Sequence, residues 1–173
     1  MGTLKILAEM LAYPESKNTL LERYYTVFML QMKDESVGRK FDEFCRWYEG
    51  MDLGSLQEEY VATFDLNRTI SLNLFDYAYG DSCERGPAMA ELIEAYEKAG
   101  LLLVDEMPDY LPVVLEFMAE AGNSLPRQQM DALMNGLEQL RDKLEESGSK
   151  YALLADITAS TIRCGCGAHT GGN

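Results

Sequence analysis

Residues 56–101 read LQEEYVATFDLNRTISLNLFDYAYGDSCERGPAMAELIEAYEKAGL, and residues 107–117 read MPDYLPVVLEF. Ser55, which precedes the first stretch, and Glu58 have the spacing of a capping box, in which both side chains bond free backbone amides where a helix begins. Three apolar side chains then follow at intervals of four residues: Leu56, Tyr60 and Phe64. That spacing places them on one face, so the pattern predicts a helix with an aromatic face.

Further helix signals follow along the chain. Pro87 suits the first turn of a helix, because proline lacks the amide that would be unpaired there, and Gly100 suits the C-terminal end of that helix. Asp109 is a candidate cap for another helix with Pro112 in its first turn. We expect two helices here, separated by the loop around residues 101–108.

The last third of the chain carries a narrow apolar stripe. Its members are Met130, Leu133, Leu137, Leu140 and Leu144. These steps of three and four predict a helix, and the stripe is too short for a free-standing coiled coil, so we expect it in the core. A final helix is predicted over about residues 150–162.

No segment has a convincing strand pattern, and the connections have the short lengths typical of helical bundles. The sequence therefore predicts an all-α fold, a single-domain helical bundle over residues 1–163. The glycine-rich tail, residues 164–173, is expected to be disordered.

The chain of 173 residues has 29 acidic and 15 basic side chains, for a net charge of −14. Such a surface repels nucleic-acid phosphates and anionic membranes, and it attracts basic partners. No apolar run approaches the roughly 20 residues that a membrane helix needs, so stable membrane insertion is not expected. The N-terminal residues make a poor secretory signal, and the 4 cysteines do not resemble a disulfide framework. We expect a cytoplasmic protein.

The pattern does not favour an enzyme or a bound cofactor. The single histidine, His169, lies in the glycine-rich tail, where no rigid base is available to activate a nucleophile. Neither of the glycine-rich loops that hold nucleotide phosphates occurs. Adjacent glutamates in an acidic chain are typical of a solvated helix face.

The tail leaves one different class of function open. Cys164, Cys166 and His169 are three possible ligands for Zn²⁺ or Cu⁺ within a short span, although their spacing is not the usual one for a zinc site. A metal-handling protein is therefore an alternative to a peptide-binding protein.

Aromatic residues of the middle segment suit the lining of a groove that is half open to water, because their rings are apolar and several have polar tips. They are Tyr60, Phe64, Phe75, Tyr77 and Tyr79. Nearby acids are candidates for a rim that attracts a basic peptide: Asp65, Asp76, Asp81, Glu106 and Asp109. The alternative is that the rings simply fill the core.

The two stretches resemble the NarJ-type chaperones, the delta subunits that assemble molybdenum-cofactor nitrate reductases, within the wider TorD/DmsD class of redox-enzyme maturation proteins. The most specific pieces are the turn from Tyr60 to Phe64, the Tyr79-Gly80-Asp81 turn and the 108–117 stretch. The resemblance implies an all-helical chaperone without catalytic turnover. It further implies binding of the basic N-terminal leader of a molybdoenzyme catalytic subunit until the cofactor has been inserted.

The resemblance also implies roles for particular positions. Tyr60 and Phe64 match the aromatic pair that leads into the groove of the family. Asp109 and Tyr110 lie where the wider class has an acid followed by histidine, in a loop implicated in peptide recognition, so no histidine-based pH response is implied here. Leu111, Pro112 and Glu116 follow the nitrate-reductase branch.

The leading prediction is therefore a cytoplasmic assembly chaperone for a molybdoenzyme, with nitrate reductase as the first client. Its predicted peptide-binding residues are Tyr60, Phe64, Phe75, Tyr77, Tyr79, Asp109, Tyr110, Leu111 and Glu116. The same role toward a sulfoxide, chlorate or selenate reductase is the alternative within this class. Whether the protein is a monomer or a dimer stays open.

Overall fold

The computed structural model describes residues 2–16, 20–103, 105–122 and 124–167. Within these ranges the chain forms α-helices and no β-strand. The helices are α1 (Thr3–Leu11), α2 (Leu20–Gln31), α3 (Glu35–Gly50), α4 (Leu53–Tyr60), α5 (Phe75–Ala78), α6 (Arg85–Lys98), α7 (Leu111–Ala121), α8 (Arg127–Glu146) and α9 (Tyr151–Gly167). The predicted all-α, single-domain bundle is confirmed. None of the described helices is long and apolar enough to cross a membrane.

The core lies where α1, α7, α8 and α9 meet. Helix α1 packs against α7 and α9, and α8 packs against α9 and the single turn of α5. The apolar stripe of α8 is buried over its whole length, as its spacing predicted: Met130, Leu133, Leu137, Leu140 and Leu144. Burial of such a stripe supplies most of the stability of a helix in a globular protein, because intrinsic helix propensity alone contributes little.

The start of α4 differs from the prediction. The cap is Asp52, whose carboxylate accepts a bond of 3.0 Å from the Ser55 amide, so the helix begins at Leu53. The expected capping box of Ser55 and Glu58 is wrong. An aspartate three residues earlier supplies the same acceptor, and the Ser55 amide therefore lies inside the first turn.

The start of α7 also differs. Tyr110 precedes the first helical residue, Leu111, and Pro112 lies in the first turn as expected. Asp109 does not cap this helix, because its side chain points instead to the start of α5.

Helix α9 runs to Gly167 and so extends beyond the predicted end at Ile162. Residues 168–173 lie outside the described residues, and the division into a domain and a tail stays a prediction.

The irregular segment between α4 and α6 lies across α8. It reaches α8 most closely at Gly136, where an added Cβ would lie 2.4 Å from the Leu74 carbonyl oxygen. On its other side, Asn73 forms an isolated antiparallel bridge with Tyr110. The segment is therefore held between α8 and the residues that precede α7.

Candidate functional site

A π-helical turn follows α4 and positions the first aromatic group. It spans Val61–Asp65 and closes with a bond of 2.9 Å from the Leu66 amide to the Val61 carbonyl. The wider turn inserts an extra residue into the helix, a feature found frequently at functional sites. The Tyr60 and Phe64 ring centroids lie 4.9 Å apart, and Phe64 lies 5.0 Å from Tyr151.

Tyr60 is the buried centre of this group. Its hydroxyl lies 3.4 Å from the Leu11 carbonyl oxygen and 3.2 Å from the Tyr110 hydroxyl. Since a carbonyl only accepts, the Tyr60 proton is directed to Leu11 and Tyr110 donates to Tyr60. Burial raises the pKa of the Tyr60 phenol far above its usual value, so it stays protonated at neutral pH.

Three partly exposed rings surround Tyr60. Tyr13 meets it edge-to-face at 5.5 Å, while Phe64 and Tyr110 are half-buried beside it. We call Tyr13, Phe64, Tyr110 and the exposed Leu66 the π-turn face. The sequence analysis missed Tyr13, because only the fold brings the residues after α1 to the end of α4, and it missed the exposed position of Leu66.

Asp109 has a structural position that the sequence analysis did not predict. The side chain is fully buried, and one carboxylate oxygen accepts a bond of 2.9 Å from the Phe75 amide. The Asp109 carbonyl accepts a second bond from the Leu74 amide at 3.0 Å. The other carboxylate oxygen has no hydrogen-bond partner among the described residues. The expected place of Asp109 on an exposed acidic rim is therefore wrong.

Desolvation raises the pKa of the Asp109 carboxyl, and the Phe75 amide partly opposes that rise. A buried carboxyl of this kind joins two segments of backbone, so its role is to hold α5 against the start of α7.

The rings of α5 form a second group. Phe75 is fully buried and meets Tyr79 edge-to-face at 4.9 Å. The Tyr77 hydroxyl accepts from the Ser71 amide at 2.7 Å and donates to the Ser71 carbonyl at 3.0 Å. Tyr77 and Tyr79 keep part of their surface exposed. These contacts fix the irregular segment in place.

An ion pair supports the same segment, since Arg85 lies 2.5 Å from Asp76.

The two remaining predicted residues differ in exposure. Leu111 is fully buried, and its amide donates to the Leu72 carbonyl at 2.8 Å. Glu116 is exposed and lines a shallow concavity between α7 and the segment that joins α6 to α7. Peptide binding by the predicted set stays a prediction.

Exposed apolar residues of α6 and of the segment that joins α6 to α7 were missed by the sequence analysis: Ile93, Leu102 and Met107. The four-residue apolar run of residues 101–104 was the available signal. This run is far too short to cross a membrane.

Of the three predicted metal ligands, the structure describes the side chain of Cys164 alone. Cys164 is exposed on α9, whereas the side chain of Cys166 and all of His169 lie outside the described residues. Among the residues that are described, no group of three or more histidine, cysteine, aspartate or glutamate side chains is placed to hold a metal ion. Cys45 is buried, and desolvation raises the pKa of its thiol to about 12, which makes it an unreactive core residue.

The chain is similar to known proteins over most of its length. The family model described as "Nitrate reductase delta subunit" matches residues 30–154. The "Nitrate reductase molybdenum cofactor assembly chaperone NarJ" of Escherichia coli (strain K12) is 31% identical over 162 residues, which covers 91% of this chain and 68% of the relative. A "Probable nitrate reductase molybdenum cofactor assembly chaperone NarJ" of Bacillus subtilis (strain 168) is 26% identical over 161 residues, 92% of this chain and 88% of that protein.

A third relative, the "Probable nitrate reductase molybdenum cofactor assembly chaperone NarW" of Escherichia coli (strain K12), is 34% identical over 157 residues, 90% of this chain and 66% of the relative. These relatives are named as assembly chaperones rather than as enzymes. The resemblance identified in residues 56–117 is thus confirmed over most of the chain, and the protein belongs to the nitrate reductase delta subunit family.

Proposed function

We propose that this protein is an assembly chaperone for a molybdenum-dependent nitrate reductase. The observation that carries the proposal is the family match over residues 30–154, together with relatives that are named for this role and span nine-tenths of the chain. An assembly chaperone needs to bind and release its client and needs no catalytic group of its own.

The proposed mechanism is capture of the basic N-terminal leader of the catalytic subunit in the cytoplasm. Apolar side chains of the leader pack against exposed apolar surface, and its arginines or lysines meet carboxylates. The net charge of −14 supports this choice of partner, because it attracts a cationic segment over a distance. While the leader is held, the catalytic subunit stays open to cofactor insertion and does not dock to the membrane.

The predicted binding residues divide by exposure into two roles. Phe64, Tyr77, Tyr79, Tyr110 and Glu116 keep surface that a leader can touch. The others are buried, and in the proposal they support the first set: Tyr60, Phe75, Asp109 and Leu111. The stretch over residues 106–116 combines exposed carboxylates with partly exposed apolar atoms, which supports it as the place where the leader binds.

Deletion of the gene tests the proposal, in a host without a second gene of this family. We expect the nitrate reductase to lose activity and its purified catalytic subunit to lose molybdenum, with both restored by the supplied gene. Normal molybdenum content in the deletion strain would contradict the proposal.

Calorimetric titration with the leader peptide tests the binding step. We expect an affinity in the micromolar range or tighter that weakens as salt rises, because part of the attraction is electrostatic. A leader of the same composition in scrambled order is the control. Equal binding of the two peptides would show that charge alone, without a defined surface, accounts for the interaction.

A further inference from the structure

We propose that the segment joining α6 to α7 forms a docking ridge for a cationic amphipathic helix, with Leu102 at its crest and a concavity on each side. We call residues 101–103 and 105–108 the ridge. The inference deepens the proposed function, and it rests on that function only for the identity of the physiological partner.

Backbone geometry fixes both ends of the ridge. Helix α6 ends at Lys98, and Gly100 follows it with a positive φ of 77°, which suits glycine. The Leu101 amide then donates to the Tyr96 carbonyl at 2.9 Å. At the other end, the buried Tyr96 hydroxyl donates to the Pro108 carbonyl at 2.7 Å. One tyrosine of α6 therefore anchors the segment at its start and at its end.

Held in this way, the ridge directs alternate side chains to opposite sides. Leu101 and Leu103 are half-buried and pack against the core, while Leu102 between them is 83% exposed. Ile93 of α6 is 40% exposed and Met107 is 46% exposed. Ile93 and Leu102 line the same concavity, and exposed apolar side chains grouped in this way are typical of an interaction site.

Two concavities flank Leu102. The one toward α6 has a volume of about 280 Å³ and the one toward α7 about 230 Å³. Both are lined by Tyr96, Leu101, Leu102, Leu103 and Glu106. The first adds Ile93, Glu97 and Pro108, and the second adds Val113, Glu116 and Phe117. Apolar side chains spaced by three and four along a bound helix can enter both concavities and straddle the crest.

The charge of the lining selects the partner. Glu97, Glu106 and Glu116 line the concavities, and no lysine or arginine does. Within the described residues, none of these three carboxylates forms an ion pair, whereas the nearby Lys98 is paired with Glu94 at 2.7 Å. A helix with lysine or arginine beside its apolar stripe supplies the missing positive charge.

The same charges exclude other occupants. Nucleic acid and anionic lipid carry the same sign as the three glutamates. A second copy of this chain, docked symmetrically, would bring the glutamates of one ridge against those of the other.

The groove of about 490 Å³ between α2 and α3 lacks this selectivity. Its lining mixes three basic with three acidic side chains: Lys33, Arg39, Arg46, Asp34, Glu35 and Asp42.

Three leucines of similar exposure allow a matched test. Leu102 is 83%, Leu30 of α2 is 81% and Leu66 of the π-turn face is 74% exposed. Each is changed to serine, and binding is measured by calorimetry. The probes are the N-terminal peptide of the nitrate reductase catalytic subunit, about 20 residues or 30 Å as a helix, and a synthetic leucine–lysine amphipathic helix.

We expect Leu102→Ser to weaken binding of both probes by about tenfold or more, because it removes most of the area that a buried leucine contributes. Leu30→Ser, which lies outside the candidate site, should stay within about twofold of the original affinity, and Leu66→Ser tests the π-turn face separately. All three changes lie on exposed side chains, so circular dichroism and thermal unfolding should show equal stability.

The charge requirement is tested separately. Glu106→Gln with Glu116→Gln should weaken binding and flatten its dependence on salt. The control is Glu145→Gln with Glu146→Gln, two exposed glutamates at the end of α8, which removes the same net charge away from the ridge. Loss of affinity in both pairs to the same extent would overturn the inference, since only long-range attraction would then be involved.

The outcomes separate the ridge from the proposed function. If the leader binds but only Leu66→Ser weakens it, the ridge is wrong and the chaperone function stands. If the synthetic helix binds at Leu102 while the leader does not bind, the ridge stands and leader capture fails. Failure of both peptides to bind, or a dimer of the unmodified chain that Leu102→Ser dissociates, would overturn the ridge.

Discussion

At the scale of single residues, Asp109 lies in the loop that the family resemblance links to peptide recognition, but its carboxyl is buried inside the molecule. It accepts the Phe75 amide and is cut off from water, so desolvation raises the pKa of its carboxyl. Asp109→Ala leaves the buried amide without an acceptor, and we expect a loss of about 1–3 kcal/mol in the free energy of unfolding. Chemical denaturation measures it, and an unchanged midpoint would contradict this role.

Asp109→Asn keeps an acceptor for the Phe75 amide and removes the titration. In the original protein the Asp109 carboxyl ionises near pH 4 when the chain is unfolded, and only at a higher pH when it is folded. The free energy of unfolding therefore falls as pH rises between these two pKa values. The asparagine variant lacks this loss. Its stability relative to the original should therefore increase between about pH 4 and neutral pH. A constant difference across that range in denaturation curves would argue against a raised folded-state pKa.

Tyr60 is a second predicted binding residue that has a structural role. Tyr60 is buried and its ring contacts those of Tyr13, Phe64 and Tyr151. We expect Tyr60→Ala to cost about 3–5 kcal/mol, because it leaves a cavity in an aromatic cluster.

Tyr60→Phe, the matched control, should cost only about 1 kcal/mol, since the ring stays and only the hydroxyl bonds are lost. Equal effects of the two changes on the unfolding midpoint would show that the hydroxyl, rather than the ring, matters.

At the scale of the elements, the contact between α8 and the irregular segment depends on one missing side chain. Gly136→Ala would place a Cβ 2.4 Å from the Leu74 carbonyl oxygen, so α8 and α5 must move apart. We expect a loss of about 1–3 kcal/mol in the free energy of unfolding, as in other overpacked contacts.

Gly50→Ala at the end of α3 has open space around the new methyl group and serves as the control. It should leave stability unchanged or slightly higher, because alanine has the greater helix propensity. If Gly136→Ala behaved in the same way, the close approach of the segment to α8 would be refuted.

The boundaries of the elements followed the sequence only in part. The stripe of α8 was predicted because its five apolar residues recur with the period of a helix, which is a local property. The caps of α4 and α7 were misassigned, because Asp52, Ser55 and Asp109 are all suitable caps in isolation. Which of them bonds a helix amide depends on the direction in which the chain enters the bundle.

At the scale of the whole molecule, the net charge of −14 should affect stability and binding in opposite ways. Raising potassium chloride to about 0.3 M screens repulsion among the acids and should increase the unfolding temperature. The same salt should weaken binding of a cationic leader. Thermal scans measure the first effect and titrations at the same salt concentrations measure the second. A fall in the unfolding temperature as well as in the affinity would show that ion pairs, not repulsion, dominate the stability.

By itself, the sequence determined the helical class, the sign of the surface charge and the family. Helical spacing is set by residues close together in the chain, the net charge is a sum over all residues, and family membership is recognised from the residues themselves. Only the tertiary structure decided that Tyr60 and Asp109 are buried and that Leu102 lies exposed between two concavities. Burial depends on which surfaces meet, and helices distant in the chain bring those surfaces together.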